Sequence, residues 1–171
     1  MAQKTRDSDV FELEEMAPSM FEAIQAGATI KDMQGISQDL MDGIYAYAYR
    51  FYQQGRLDEA EVFFRFLYIY DFYNVDYAMG LAAVFQLKKS YAKAIDLYAL
   101  AFALAKDDYR PMFHVGQCHL MMGRAALARH SFDEVVVNSQ DERLKVKAQA
   151  YLDGLSAVDG GVQQDEPTQQ S

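Results

Sequence analysis

Residues 41–74 read MDGIYAYAYRFYQQGRLDEAEVFFRFLYIYDFYN, residues 75–108 read VDYAMGLAAVFQLKKSYAKAIDLYALAFALAKDD, and residues 109–142 read YRPMFHVGQCHLMMGRAALARHSFDEVVVNSQDE. Set under one another, the three lines keep one register. Ala60, Ala94 and Ala128 fall at the same place in successive units of 34 residues. Each opens an apolar pattern of helical spacing: Ala60, Phe64 and Leu67; Ala94, Tyr98 and Ala101; Ala128, Phe132 and Val135. Five residues ahead of each alanine lies Gly55, Lys89 or Gly123, and before that turn comes another apolar run, Tyr47-Ala48-Phe51, Leu81-Ala82-Phe85 or Val115-Gly116-His119. Each unit is therefore predicted to be two antiparallel helices joined by a tight turn.

The pattern resembles the tetratricopeptide repeat, whose first helix carries large-x2-large-small-x2-aromatic and whose second carries small-x3-aromatic-x2-small. The small positions have a physical reason. Two helices pack closely only where one side chain shrinks to Ala or Gly, and the aromatic of the next turn then covers the crossing. Leu67 and Val135 are larger than usual, and no proline ends a unit. The expected fold is all-α: three tandem repeats in a right-handed solenoid of about eight helices without a strand, flanked by an N-terminal helical segment and a C-terminal capping helix.

Punctuation along the chain supplies boundaries. Residues 1–8 read as a polar tail and 9–36 as the N-terminal helical segment, with Phe11, Leu13, Met16, Met20, Phe21 and Ile24 at roughly helical spacing and Pro18 interrupting them. Gly27 ends that run. Thr29-Ile30-Lys31-Asp32 can cap one further turn closed by Gly35. Residues 37–158 form the repeat domain, with repeats 41–74, 75–108 and 109–142 and a capping helix at 142–157. Ser37 is its first N-cap and Gly55 terminates its first helix. The second repeat starts after Asn74, and the third at Arg110-Pro111, where proline suits a first helical turn. Asp141 caps the last helix, which turns Leu144, Ala148, Tyr151, Leu152 and Leu155 inward and Glu142, Arg143, Lys145, Lys147 and Gln149 to water. A solenoid needs such a one-sided helix at its exposed end. The composition of residues 159–171 marks a flexible tail.

Composition narrows the function. The 171 residues carry a formal charge of −9, which argues against a nucleic-acid partner, since phosphate binding relies on clustered Lys and Arg. The only cysteine is Cys118, so no intrachain disulfide forms and a reducing cytoplasm is the natural setting. No basic-then-apolar leader opens the sequence. The longest apolar run, Leu97 to Ala105, has nine residues, about half of a membrane span. Phosphate loops, HExxH and Gly-x-Ser-x-Gly are all missing, so neither an enzyme nor a cofactor is expected. His114, Cys118 and His119 cluster on one helix, yet three ligand types without a fourth make a poor zinc site. Because His119 fills the aromatic slot of its repeat, a packing or rim role is assigned to the cluster and no metal.

What remains is the concave surface shared by the first helices of stacked repeats. The second, fifth, ninth, twelfth and thirteenth positions of each unit face it. They are Asp42, Tyr45, Tyr49, Tyr52 and Gln53; Asp76, Met79, Ala83, Gln86 and Leu87; and Arg110, Phe113, Gln117, Leu120 and Met121. Tyrosines at helical spacing usually pack a core. Here Ile44, Tyr47, Ala48 and Phe51 fill the core slots, and Tyr45, Tyr49 and Tyr52 fall on another face. The groove is aromatic and methionine-rich with few charges, which suits an extended apolar segment rather than a carboxylate terminus.

Further segments carry a closer resemblance. Gly27-Ala28-Thr29-Ile30-Lys31-Asp32 with Gly35-Ile36, Gln53-Gln54-Gly55-Arg56-Leu57-Asp58-Glu59-Ala60-Glu61, Arg65-Phe66-Leu67-Tyr68-Ile69-Tyr70-Asp71-Phe72-Tyr73-Asn74, Tyr77-Ala78-Met79-Gly80-Leu81-Ala82-Ala83 and Asp108-Tyr109-Arg110-Pro111 are similar to the class II chaperones of bacterial type III secretion, and most to the branch serving invasion systems. The resemblance implies a cytoplasmic chaperone of pore-forming translocator proteins that keeps them soluble until export. It implies a client peptide held at Tyr45, Tyr49 and Tyr52, with Leu57, Phe66, Tyr70 and Tyr98 at or beside further client positions, alongside Met79, Ala83, Gln86 and Phe113 of the groove. It also implies a homodimer, for which Phe11, Leu13, Met16, Met20 and Phe21 are the candidate contact; from the residues alone, that face either folds back or meets a second copy. An AraC-type transcription activator is the alternative partner, and a generic scaffold the third reading.

Overall fold

The computed structural model describes residues 22, 23 and 26–162, with side chains up to residue 157. Expectations for the 1–8 tail, for Pro18, and for Phe11, Leu13, Met16, Met20 and Phe21 lie outside the described residues. Eight helices follow in order among the described residues, with no strand: α1 Ile30–Met33, α2 Gln38–Gln53, α3 Leu57–Tyr70, α4 Val75–Leu87, α5 Tyr91–Ala105, α6 Arg110–Met121, α7 Ala125–Asn138 and α8 Glu142–Val162. From α2 onward, each packs chiefly on its neighbours in the sequence, so α2–α3, α4–α5 and α6–α7 are the three repeat hairpins and α8 closes the stack.

The helix ends follow local chemistry. Thr29 and Asp32 form a reciprocal capping box, the Asp32 amide donating to Thr29 Oγ1 at 3.3 Å and the Thr29 amide to Asp32 Oδ2 at 2.9 Å. Ser37 Oγ accepts from the Leu40 amide, and Asn74 Oδ1 from the amides of Asp76 and Tyr77. Asp141 Oδ1 accepts from the Arg143 and Leu144 amides at 2.9 and 3.2 Å, which starts α8. Gly55 and Gly123 terminate α2 and α6 with φ +71° each, and Lys89 takes the same left-handed place after α4 with φ +61°. Lys88 next to it donates to Asp58 Oδ1 at 2.6 Å and Glu61 Oε2 at 2.7 Å. These ion pairs tie the second turn to the first repeat. The last helix passes the expected end at 157 and continues through Gly160-Gly161 to Val162.

Ala60, Ala94 and Ala128 are each 0% exposed, as are their mates Ala48 and Ala82. They are the close-approach points within the hairpins. In the third repeat that mate is Gly116, where a Cβ would lie 2.7 Å from the Phe132 ring. The core divides into two clusters: one spans the first two repeats and reaches Val115 and Cys118 of α6, and the other joins Phe113, Ala128, Phe132 and Val135 to Leu144, Ala148 and Leu152 of α8.

One core assignment is corrected. Tyr47 is 55% exposed, with the Arg50 guanidinium 5.3 Å from its ring centre. Its counterparts Leu81 and Val115 are buried because a second helix of the preceding repeat lies beside them. The first repeat has no predecessor among the described residues. Replacing Ala94 by Leu is expected to overpack the α4–α5 crossing and cost about 1–3 kcal/mol. Thermal melting followed by circular dichroism checks it, and a parental melting temperature would contradict the close approach.

Candidate peptide-binding groove

The period of α2 projects Tyr45, Tyr49 and Tyr52 along one stripe, and the structure assembles them into a ladder of rings. Tyr45 and Tyr49 stack with centroids 6.4 Å apart and planes 10° apart, and Tyr49 and Tyr52 follow at 6.2 Å and 23°. Across from them stand Asp76, Met79, Gly80 and Ala83 of α4 and Arg110 and His114 of α6, with Phe64 of α3 behind; the cleft between them measures about 380 Å³. Three of the expected groove residues of α2 thus meet three of α4, Asp76, Met79 and Ala83, and Arg110 of α6 in one cavity.

The tyrosines are not equivalent. Tyr49 is 46% exposed and touches rings of its own stripe. Tyr45 is half-buried, edge-on to Phe64 at 5.7 Å and 5.8 Å from Tyr77, so it is both groove wall and core. Burial raises the phenol pKa values of Tyr45 and Tyr52, and at Tyr45 the nearby Asp76 adds to the effect. Both rings present neutral hydroxyls above an apolar body, a surface suited to an apolar segment whose backbone still needs partners.

Other expected client residues sit elsewhere. Tyr98 is 1% exposed; its ring lies under the groove and its hydroxyl donates to Gln86 Oε1 at 2.7 Å. Phe113, at 7%, is wedged against His114, Phe132 and Tyr151. Both are floor: Tyr98 covers the crossing of its own repeat, and Phe113 is closed over by Phe132 of α7 and Tyr151 of α8. Leu57, Phe66 and Tyr70 lie on α3, the second helix of its hairpin, and pack against the first core cluster. Phe66 and Tyr70 stack on each other at 4.2 Å, and none of the three lines the cleft.

The cleft also holds residues that the five-position rule did not select. Gly80 and His114 both occupy the sixth position of their units, and Phe64 reaches the cleft from α3. The signal was there: Gly80 is the one glycine inside α4, and a Cβ on it would lie 2.2 Å from Phe64 Cε1. Only glycine lets that ring pass between units. Arg110 is fixed at the cleft edge by Asp108, with Nη2–Oδ2 at 2.5 Å and Nε–Oδ2 at 2.8 Å. A polar chain crosses the floor. Gln86 Nε2 donates to Gln117 Oε1 at 3.4 Å, Gln117 Nε2 donates to the Tyr151 hydroxyl at 2.9 Å, and His114 Nδ1 lies 3.0 Å from Gln117 Oε1. His114 stacks on Tyr98 with centroids 5.1 Å apart, and Cys118 is sealed below, burial pushing its thiol up to about 11. Among the described residues no group of three or more His, Cys, Asp or Glu side chains could hold a metal ion, and no helix is long and apolar enough to cross a membrane.

Comparison with known proteins agrees with this architecture. A model of the tetratricopeptide repeat matches residues 41–74 and 75–108. The chain is 59% identical over 146 residues to the chaperone protein SicA of Salmonella typhimurium, a match covering 85% of this chain and 88% of that one. Among solved structures, PcrH in complex with the chaperone binding region of PopD is similar with a TM-score of 0.68 at 29% identity, covering 73% of this chain and 97% of that one. The Yersinia enterocolitica type III secretion translocator chaperone SycD gives 0.69 at 27%, covering 74% and 98%. With identity of that order over that length, and a repeat architecture shared with both solved structures, the chain belongs to the class II, tetratricopeptide-repeat chaperones of type III secretion, on the branch of SicA.

Proposed function

We propose that this protein is a cytoplasmic chaperone that binds an extended apolar segment of a pore-forming translocator in its concave groove and keeps that client soluble and competent for export. The observation that carries the reading is the cleft walled by Tyr45, Tyr49 and Tyr52 against Met79 and Ala83, with Asp76, Arg110 and His114 also in its lining, an aromatic slot with polar groups beside its apolar wall. Solved complexes of PcrH with the chaperone binding regions of PopD and PopB, and of SycD with a peptide of YopD, support it. An extended segment preset by proline loses little conformational entropy on binding, and its anchors gain by burial against the rings. Catalysis has no part in this role.

A homodimer belongs to the same proposal, with Phe11, Leu13, Met16, Met20 and Phe21 as its contact. Leu40 and Tyr47, 56% and 55% exposed, leave an apolar face at the end of the solenoid that no described helix covers, which supports a partner there. No described feature favours the AraC-type activator or the generic scaffold over the translocator.

Co-expression with the translocators of the same secretion system tests the reading. The client is expected in the soluble fraction and in the pull-down with the chaperone, and in the pellet without it. A client equally soluble alone would leave a scaffold rather than a chaperone.

A further inference from the structure

His114 is one of three metal-ligand types on α6, to which the sequence assigns a packing or rim role. It lines the cleft beside Arg110, its ring stacked on Tyr98 at 5.1 Å and 15° and edge-on to Phe113 at 5.7 Å. Its Nδ1 lies 3.0 Å from Gln117 Oε1. That oxygen also receives Gln86 Nε2, while Gln117 Nε2 is spent on Tyr151 and Gln86 Oε1 accepts from Tyr98. The direction of the chain therefore fixes the imidazole: Nδ1 carries the proton and donates, and Nε2 is left as a lone-pair acceptor.

Nε2 has no hydrogen-bond partner among the described residues. It is not sealed either, since the one fully buried side-chain nitrogen or oxygen without a partner among them is Nδ1 of His119. The bare nitrogen therefore keeps some exposure, on a half-buried residue that lines the cleft. Burial lowers the pKa of the ring by disfavouring its charged form, with Arg110 and Lys147 adding to this and the Gln117 hydrogen bond and Asp108 opposing it. Asp76 faces the same cavity from α4, and Tyr45, Tyr49 and Tyr52 from α2.

An apolar extended segment brings few side-chain donors. Its main chain, however, carries an N–H at every residue other than proline, and each needs an acceptor when buried. We propose that His114 is a second recognition point in the groove, its Nε2 accepting a hydrogen bond from one main-chain N–H of the bound segment while the tyrosine ladder takes the apolar anchor. Tyr98, Gln86, Gln117 and Tyr151 act as positioning residues that hold the ring in the accepting tautomer. This rests on the groove reading above and adds the register: the segment must place a non-proline residue opposite His114.

The test uses the full chain and a short synthetic peptide with leucine anchors spaced between prolines, titrated by calorimetry at neutral pH. His114→Leu removes the acceptor and is expected to weaken binding about three- to tenfold. His114→Gln, which keeps a neutral oxygen on a side chain of similar reach, should restore most of it. N-methylation of the peptide one amide at a time should find one position whose loss weakens the parent equally but leaves His114→Leu unaffected. In the parent, the ¹⁵N resonance of unprotonated Nε2 should shift on peptide addition. Equal affinity of the parent and His114→Leu, or an N-methyl penalty identical in both, overturns the proposal while leaving the groove in place. Failure of the peptide to bind the parent at all overturns the groove reading itself. Melting curves of each variant separate lost binding from lost fold.

Discussion

Tyr49→Glu is expected to weaken client capture roughly 100-fold, the equivalent of about 3 kcal/mol, while helicity and melting temperature stay close to parental. The asymmetry comes from where the ring sits. Tyr49 is 46% exposed and its ring pairs are with the two flanking rings of its own stripe, each worth about 0.5–1.5 kcal/mol at most to the free protein. In the complex, by contrast, a carboxylate at the same place must be stripped of water against an apolar anchor. Tyr45→Glu should behave differently. Its ring closes the edge of Phe64 and approaches Tyr77, so that variant loses folding stability together with client. Pull-down of co-expressed client and circular dichroism on both variants check the contrast. Parental capture by Tyr49→Glu would move the binding site away from the concave face.

The largest loss of stability is expected from Phe64→Ala. This ring is 1% exposed at the junction of the first two repeats, and its truncation should cost about 3–5 kcal/mol through lost burial and the cavity left behind. For a chain of this length that corresponds to a melting temperature lower by roughly 10 °C. The pocket should fail as well, because Tyr45 loses the edge it rests on. The converse change is Gly80→Ala. Helix propensity alone would make it stabilising by about 1 kcal/mol, but the new Cβ would fall 2.2 Å from Cε1 and 2.5 Å from Cδ1 of Phe64. Overpacking of about 1–3 kcal/mol should outweigh that gain, and trimming the ring in Phe64→Leu/Gly80→Ala should recover part of it. Denaturant unfolding of the three variants measures these terms. A more stable Gly80→Ala would show that the ring has room to move aside.

Much of the fold could be read from residues whose role is local. Thr29, Ser37, Asn74 and Asp141 satisfy amides within three residues of themselves, and Ala60, Ala94 and Ala128 mark the crossings because nothing larger fits there. The tyrosine stripe of α2 was legible for the same reason, since helical period alone decides which residues share a face. Depth was harder to read. Tyr98 and Phe113 carry the chemistry of client contacts yet lie at 1% and 7% exposure, because α6 covers the first and the capping helix α8 the second, and a period within one helix says nothing of what lies on top. Tyr47 erred in the other direction, for want of a preceding repeat helix beside it among the described residues. Gly80 and His114 were missed because their place in the cleft depends on Phe64 reaching from α3 and on a polar chain running from α4 to α8. Contacts of that kind are not encoded in any one unit.

Because α2 through α8 pack mainly on their immediate neighbours in the sequence, the contacts that build each hairpin lie within its own 34 residues, those that stack it lie in the next unit, and no strand among the described residues waits for a distant partner. Chains built from such short-range contacts fold quickly, since little loop entropy is lost before packing repays it, and in a repeat array the order spreads from any unit that forms first. Assembly can therefore keep pace with synthesis. A protein whose task is to meet an aggregation-prone chain gains from being finished early: with Tyr45, Tyr49 and Tyr52 on the first hairpin and Met79 and Ala83 on the next, most of the cleft is complete before the last third of the protein has been made.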